Sequence, residues 1–157
     1  MTKKIIVLVG CGKSKLAHAA PAKDLYTGPL FKKAMAYAEL VGDEWYILSA
    51  KHGLIHPDVV IEPYNETVTG KRQKERKQFY ICLRNQISAL LDWTHENGEN
   101  FRCEAVRFVC LAGEPYLGCF DIDLCRIRKF CTIEKPLEGM GIGKRIQFLG
   151  AAMKEIS

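Results

Sequence analysis

No apolar run in the 157-residue sequence is long enough to cross a membrane. The first four residues, Met1 to Lys4, lead into an apolar segment that is too short for a signal peptide. We therefore expect a cytoplasmic protein. The sequence also shows no internal repeat and no linker, and its length suffices for one hydrophobic core but is short for two. We expect residues 1–157 to form a single domain.

Close cysteine pairs are missing as well. The seven cysteines stand at positions 11, 82, 103, 110, 119, 125 and 131, and none of them belongs to a Cys-x-x-Cys pair. Structural zinc sites usually contain such pairs. An odd number of cysteines in a cytoplasmic chain argues against a disulfide framework. We therefore expect neither a metal site nor structural disulfides.

The composition is that of an ordinary globular protein, with 48% hydrophobic and 26% charged residues. The net charge of +5 permits a partner that carries phosphate groups, but it is below that of a strongly basic nucleic-acid-binding protein. The segment from Lys71 to Lys77 holds five positive charges in seven residues. Its residues Lys71, Arg72 and Lys74 either form a solvated helix face or meet a phosphate backbone.

Apolar runs predict an α/β protein with a mostly parallel sheet. Ile5–Val9 has four β-branched residues among five apolar ones and no polar alternation, which is typical of a strand buried on both faces. Further strands are predicted over 45–49 and 104–111, and a more exposed one over 124–133. The sequence thus predicts about four strands.

Helical periodicity appears in three segments between and after these strands. A helix is predicted from Pro29 to Val41, because Thr27 or Gly28 can cap it and its apolar residues recur at helical spacing. The longest helix is predicted over 71–91, and a last one from the glycine-rich turn at 139–143 through Met153. We expect a three-layer sandwich in which helices flank the sheet.

Small and charged residues follow the first predicted strand directly, in the sequence Gly10-Cys11-Gly12-Lys13-Ser14-Lys15. The two glycines permit backbone angles that display Cys11, Lys13 and Lys15. The ending of a P-loop is present, but that motif requires a glycine where Val7 stands, so a nucleoside triphosphatase is not favoured. A looser anion site of loop amides and lysines, and a plain solvated turn, both remain open.

Polar residues also follow the other predicted strands. The candidates are Ser49 at the end of the second strand, Lys51 and His52 after it, and Glu114 and Tyr116 after the third strand. Ligands of open α/β sheets bind at the carboxyl ends of the strands, so we expect these residues to converge with Cys11 on one crevice. His52 is either a general acid or base or a surface group.

A long connection runs from Ile61 to Gly70, and Pro63 favours an extended chain there. Long connections with polar side chains between regular elements are often functional. Tyr64 in this segment either stacks on a base or packs as an aromatic lid over the core.

The motifs resemble those of a small domain family related to the YaaA peroxide-stress proteins. The matching segments are Val9–Lys15, Leu25-Tyr26 with Phe31, Leu48–Ile55, Pro63-Tyr64-Asn65, Thr67-Val68, Pro136-Leu137, Gly139 and Gly141-Ile142-Gly143. This resemblance covers most of the chain.

A weaker resemblance links the chain to the core domain of archaeosine synthase, which modifies a 7-deazaguanine base in transfer RNA. Cys11, Lys13 and Tyr26 approximate the first loop of that domain, and the segments around Tyr64 and Val68 its later motif. The chain differs in having Asn65 where an acid is usual, and in lacking the adjoining transfer-RNA-binding domains. Both families have been linked to folds like that of uracil-DNA glycosylases.

These resemblances imply an enzyme that acts on a nucleobase, nucleoside or nucleotide, either free or in nucleic acid, by base modification or glycosylase-like chemistry. Cys11 is then a nucleophile or a substrate contact, because neighbouring lysines favour a thiolate. Lys51 and His52 are expected to serve an anion and proton transfer. The expected substrate contacts are Gly10, Gly12, Lys13, Lys15, Tyr26, Ser49, Tyr64, Asn65, Glu114 and Tyr116. No cofactor is expected.

Two other functions remain open from the sequence. The first is a non-catalytic nucleic-acid-binding module that uses the basic turn at Lys71, Arg72 and Lys74, with strong dependence on salt. The second is a small-molecule sensor in a stress or phage-defence setting.

Overall fold

The computed structural model describes residues 3–92, 106–118 and 131–157, with the side chain of residue 92 left aside. The elements in chain order are β1 (Lys4–Gly10), β2 (Ala20–Pro21), α1 (Ala22–Leu25), α2 (Pro29–Val41), β3 (Glu44–Ser49), β4 (Gly53–Ile55), β5 (Val60–Ile61), α3 (Gln73–Asp92), β6 (Val106–Leu111), α4 (Glu114–Leu117), β7 (Cys131–Glu134) and α5 (Ile142–Ile156).

Among the described residues, the central sheet has five strands in the order β4-β3-β1-β6-β7. The pairs β3–β1, β1–β6 and β6–β7 are parallel, whereas β4 runs antiparallel to β3. The sheet is therefore mixed, and the prediction of about four strands is corrected to five. The additional strand is β4, a three-residue segment that follows β3 after a turn and that was not predicted from the sequence.

The register brings the carboxyl ends of the three middle strands level. Val9 of β1 lies opposite Ile47 of β3 and Leu111 of β6, and Gly10 lies opposite Leu48. The loops that follow β1, β3 and β6 consequently leave the sheet at the same end, which we call the carboxyl end of the sheet.

Helices cover both faces of the sheet, as predicted. Val7 and Val9 of β1 belong to a cluster that includes Phe31 of α2 and Leu149 of α5. The alternate β1 residues Ile6 and Leu8 belong to a second cluster that includes Leu83 and Ile87 of α3. Side chains at positions 6–9 are at most 1% exposed, which explains why this strand is apolar without alternation.

The predicted helices are present with small differences at their ends. Gly28 is the N-cap of α2, with Pro29 in its first turn. The predicted strand over 124–133 is described only from Cys131, where β7 begins, and its earlier part lies outside the described residues. Residues 62–67 belong to no helix or strand. None of the helices in the described segments is long and apolar enough to span a membrane.

Candidate functional site

Cys11 and Tyr116 meet at the carboxyl end of the sheet, although 105 positions separate them in the sequence. The Cys11 N–H donates to the carbonyl of Leu48 at 2.9 Å, which holds the first loop against the end of β3. The Cys11 Sγ lies 2.7 Å from the hydroxyl oxygen of Tyr116, which stands in the short helix α4 after β6. The parallel pairing of β1 with β6 therefore assembles this contact.

Gly10 allows the two loops to approach so closely. A Cβ atom at this position would lie 3.1 Å from the Cβ of Ala112. A larger residue would push apart the loops that carry Cys11 and Tyr116. The glycine is thus a packing requirement of the contact, and the carboxyl end of the sheet depends on it.

Tyr116 is a neutral phenol in the folded protein. Burial raises the pKa of Tyr116, and the negative charge of a Cys11 thiolate together with the hydrogen bond to it raises it further. A protonated hydroxyl is a donor, so Tyr116 donates a hydrogen bond to Cys11 whenever the sulfur is a thiolate. The Cys11 side chain is partly exposed and stays accessible to a ligand.

A second group of polar side chains lies beside this pair and is almost closed to solvent. The Tyr64 hydroxyl is 2.6 Å from the Tyr26 hydroxyl and 2.6 Å from the Ser49 Oγ. These three residues, which we call the hydroxyl cluster, are 8%, 1% and 0% exposed, respectively. The Ser49 Oγ also accepts the N–H groups of Lys51 and His52 at 3.2 and 3.1 Å, which shapes the turn after β3.

The hydroxyl cluster is electrostatically linked to Cys11. Burial raises the pKa of Tyr26 to about 12, and the charge of Cys11 adds to this rise. The pKa of Tyr64 is also raised, first by burial and then by the charge of Cys11. At neutral pH both tyrosines are uncharged, so the hydroxyl cluster places no negative charge beside Cys11.

Lys15 covers the ring of Tyr64. Its Nζ lies 4.5 Å from the Tyr64 ring centroid and 5.7 Å from that of Tyr26, within the range of a cation–π interaction. The His52 ring meets the Tyr64 ring edge-on at 5.6 Å. Of the two interpretations of Tyr64, the arrangement favours an aromatic residue packed over the core, because its ring already has neighbours.

The side chains of the remaining predicted site residues lie around this centre without joining its hydrogen bonds. Gly10 and Gly12 are partly buried in the first loop. The exposed residues are Lys13, Lys51, His52, Asn65 and Glu114. Lys51 and His52 contribute their backbone N–H groups, while their side chains extend from the turn after β3. The predicted convergence therefore has an inner part, which is buried and hydrogen-bonded, and a charged rim.

The basic turn at the start of α3 borders the same region. The Lys71 Nζ is 3.7 Å from a carboxylate oxygen of Glu66 and 5.4 Å from the ring centroid of Phe79. The Phe79 ring in turn lies 6.5 Å from the Tyr116 ring. Lys74 and Arg72 are exposed. The turn is therefore close to Tyr116, while the charge of Lys71 is partly engaged by Glu66.

Arg145 was not among the predicted site residues, and the structure places it beside the loop that carries Tyr116. A Cβ atom at Gly113 would lie 3.3 Å from the Arg145 Nη1, so the guanidinium rests against the backbone at this glycine. Its Nε donates to the carbonyl of Met140 at 2.7 Å. The glycine-rich turn before α5 was the only sequence signal for this part of the site.

A separate open groove of about 500 Å³ lies at the start of β3, away from Cys11. Its lining includes Lys23, Glu44, Trp45, His56 and Asp58. None of the predicted site residues contributes to it. Across residues 3–92, 106–118 and 131–157, no group of three or more His, Cys, Asp or Glu side chains is placed to hold a metal ion.

Comparison with known proteins identifies relatives without a described activity. The uncharacterized protein YfjM of Bacillus subtilis (strain 168) is 28% identical over 159 residues, which cover 97% of each chain. No solved structure matches the chain. These matches show no link to the YaaA proteins or to archaeosine synthase. The model of the family of unknown function DUF6884 matches residues 6–151, and the chain therefore belongs to this family.

Proposed function

We propose that the protein is an enzyme that acts on a nucleobase, nucleoside or nucleotide and that Cys11 is its nucleophile. The observation that carries this proposal is the 2.7 Å contact between the partly exposed Cys11 Sγ and the hydroxyl of the neutral Tyr116. The contact lies at the carboxyl ends of parallel strands, where open α/β sheets bind their ligands. A donor fixed on the sulfur stabilises the thiolate, which is the reactive form.

The two buried tyrosines that interact electrostatically with Cys11 carry no negative charge. Tyr26 and Tyr64 stay uncharged at neutral pH, and the ammonium group of Lys15 lies over the Tyr64 ring. Hydrogen bonds to charged groups contribute about 1.5–3 kcal/mol, more than bonds between neutral groups. Lys51 and His52 on the rim are proposed to bind an anionic substrate group and to transfer protons.

The substrate class in this proposal comes from the motif resemblance to the YaaA-related and archaeosine synthase families. Kinship with those families, and the uracil-DNA-glycosylase-like arrangement that it implies, are part of the proposal. The five-stranded mixed sheet with helices on both faces supports the arrangement at the level of its layers.

The nucleophile is tested by alkylation with iodoacetamide at neutral pH, followed by mass spectrometry of the peptides that contain Cys11 and Cys82. Cys82 is the matched control, because it is a more exposed free thiol on α3. We expect Cys11 to react faster than Cys82, and Tyr116→Phe to slow Cys11 about fourfold to tenfold. A hydrogen bond to a charged group contributes about 1.5–3 kcal/mol. About half of this free energy is expected to appear in the activation free energy of alkylation, which gives the stated range.

Protection by ligands tests the substrate class in the same assay. Nucleobases, nucleosides, nucleotides and short oligonucleotides are added before iodoacetamide, and at least one class is expected to protect Cys11 but not Cys82. Equal reactivity of Cys11 and Cys82, with no effect of Tyr116→Phe, would contradict the role of Cys11 as nucleophile. If none of these ligand classes protects Cys11, the proposal of a substrate that contains a nucleobase is refuted.

A second candidate is a non-catalytic nucleic-acid-binding module, favoured by the position of the basic turn next to Phe79 and Tyr116. Binding of a labelled oligonucleotide is then expected to weaken steeply with salt, with a slope of about −0.7 for each phosphate contact on a single strand. Arg72→Gln with Lys74→Gln reduces that slope, whereas Lys154→Gln at the end of α5 does not. Affinity that is independent of salt contradicts this candidate.

A further inference from the structure

We propose that Arg145 is the phosphate-binding residue of the Cys11 site, so that the substrate carries a phosphate ester on its base-bearing unit. This inference rests on the proposed function and narrows its substrate class from nucleobases in general to nucleotides. Arg145 comes from α5, an element that contributes none of the residues identified from the sequence.

The guanidinium of Arg145 is placed at the carboxyl end of the sheet by two contacts. Its Nε donates to the carbonyl of Met140, and its Nη1 rests against Gly113, where a Cβ atom would lie only 3.3 Å away. A side chain at position 113 would therefore require the guanidinium to shift from this position. The lack of a side chain at position 113 leaves room for the guanidinium.

The two terminal nitrogens of Arg145 have no acidic partner within the described parts of the chain. Arg107, by comparison, holds Glu134 with both its Nε and its Nη2 at 2.7 Å. Arg145 uses its Nε to anchor the turn at Met140 and keeps its Nη groups for another acceptor. A guanidinium edge with two parallel N–H donors matches the oxygen spacing of a phosphate group.

The position of Gly113 connects this guanidinium to the nucleophile. Gly113 follows Ala112, whose Cβ lies 3.1 Å from a Cβ built on Gly10, the residue before Cys11. Gly113 is also the N-cap of α4, which presents Tyr116 to the Cys11 sulfur. The contacts therefore run from the guanidinium through Gly113 and Ala112 to the loop that carries Cys11. A nucleotide has a matching layout, because its base and its phosphate lie at opposite ends of one sugar.

The charge around Arg145 supports an anion rather than a neutral ligand. The first turn of α5, which carries Arg145, has no side-chain cap at Gly141, and the N-terminal end of a helix favours negative charge. Lys15 of the first loop faces the rings of Tyr64 and Tyr26 instead. The Nη groups of Arg145 are therefore available to bind a phosphate at this end of the sheet.

The test compares wild-type protein with Arg145→Gln, Arg145→Lys and Lys144→Gln. Lys144→Gln removes one positive charge from the same helical turn and serves as the matched control. Protection of Cys11 from iodoacetamide is measured with adenosine, guanosine, cytidine and uridine, with their 5′-monophosphates, and with short oligonucleotides. Thermal stabilisation by inorganic phosphate is measured in parallel, and urea unfolding verifies that each variant is folded.

We expect at least one monophosphate or oligonucleotide to protect Cys11 at a concentration about tenfold below that of the matching nucleoside, as a charge-assisted hydrogen bond predicts. Arg145→Gln removes this difference and the stabilisation by phosphate. Arg145→Lys keeps part of the nucleotide preference and part of the stabilisation by phosphate, because lysine has the positive charge but lacks the two parallel N–H donors of the guanidinium. Lys144→Gln leaves the nucleotide preference in place. Comparison of the monophosphate with the oligonucleotide decides whether the phosphate belongs to a free nucleotide or to a polynucleotide.

The outcomes separate the two proposals. If nucleosides and nucleotides protect Cys11 equally, or if Arg145→Gln keeps the nucleotide preference, the role of Arg145 is refuted while the proposed function stands. If no ligand protects Cys11, the proposed function fails. In that case, loss of phosphate stabilisation in Arg145→Gln but not in Lys144→Gln still supports a phosphate site, and retention of it refutes the site.

Discussion

Tyr64 is the central member of the hydroxyl cluster, and replacing it with phenylalanine isolates the energy of that cluster. The substitution keeps the ring and removes two hydrogen bonds of 2.6 Å, one to Tyr26 and one to Ser49. Each buried hydrogen bond contributes about 0.5–1.5 kcal/mol, so the free energy of unfolding is expected to fall by about 1–3 kcal/mol. The upper half of this range is favoured because Ser49 already accepts two backbone N–H groups and needs its hydroxyl hydrogen to find an acceptor.

Urea unfolding followed by circular dichroism measures this loss. A loss of about 2 kcal/mol corresponds to a fall in Tm of roughly 4–8 °C for a chain of this size. Tyr37→Phe is the matched control, since Tyr37 packs against the same core and has no hydrogen bond from its hydroxyl among the residues that the structure describes. Equal and small effects of the two substitutions would show that the hydroxyl cluster does not stabilise the fold.

Three further predictions concern stability. Gly53 has a φ of +71°, and a Cβ atom there would collide with the side-chain amide of Gln86. Gly53→Ala is therefore expected to lower the free energy of unfolding in urea by at least about 1 kcal/mol. Gly143→Ala in the open first turn of α5 is the contrasting control and should not destabilise the protein. The raised pKa of Tyr26, about 12 against an ordinary 10.0, means that the folded state holds this proton more tightly. The corresponding stability is complete below pH 10 and is lost as the pH rises towards 12, so unfolding free energies measured over that range should decline, and less steeply in Tyr26→Phe; an identical slope in both proteins would contradict the burial of this phenol. Leu83→Ala removes most of a fully buried side chain between α3 and the sheet. It is expected to lower the free energy of unfolding in urea by about 2–5 kcal/mol. A loss below about 1 kcal/mol would contradict the packing of α3 against the sheet.

Much of the fold follows from local patterns in the sequence. The apolar run of β1 and the capped, periodic segment of α2 were predicted nearly to their ends, because burial on both faces and helical spacing leave clear signals. The strand β4 was missed, since three residues that begin with glycine carry no periodicity. The ladder between Ala20-Pro21 and Val60-Ile61 was missed for the same reason, as each strand has only two residues.

The site was predicted in its location more than in its contacts. Cys11 and Ser49 were identified because they follow buried strands, and parallel pairing brings strand ends together. The hydrogen bonds of Tyr64 depend on distances between segments far apart in sequence, which no local pattern records. Arg145 was missed because its neighbour Gly113 lies 32 positions earlier and on another element.

The short antiparallel strand β4 also determines how copies of the protein can associate. It closes one side of the sheet, and the N–H of Leu54 in this strand is taken by the side-chain oxygen of Gln86 from α3 at 3.0 Å. An incoming strand would need that donor to extend the sheet. Within the part of the chain that the structure describes, a helix side chain thus occupies an outward-facing donor of β4, which disfavours the pairing of another copy's strand with this edge.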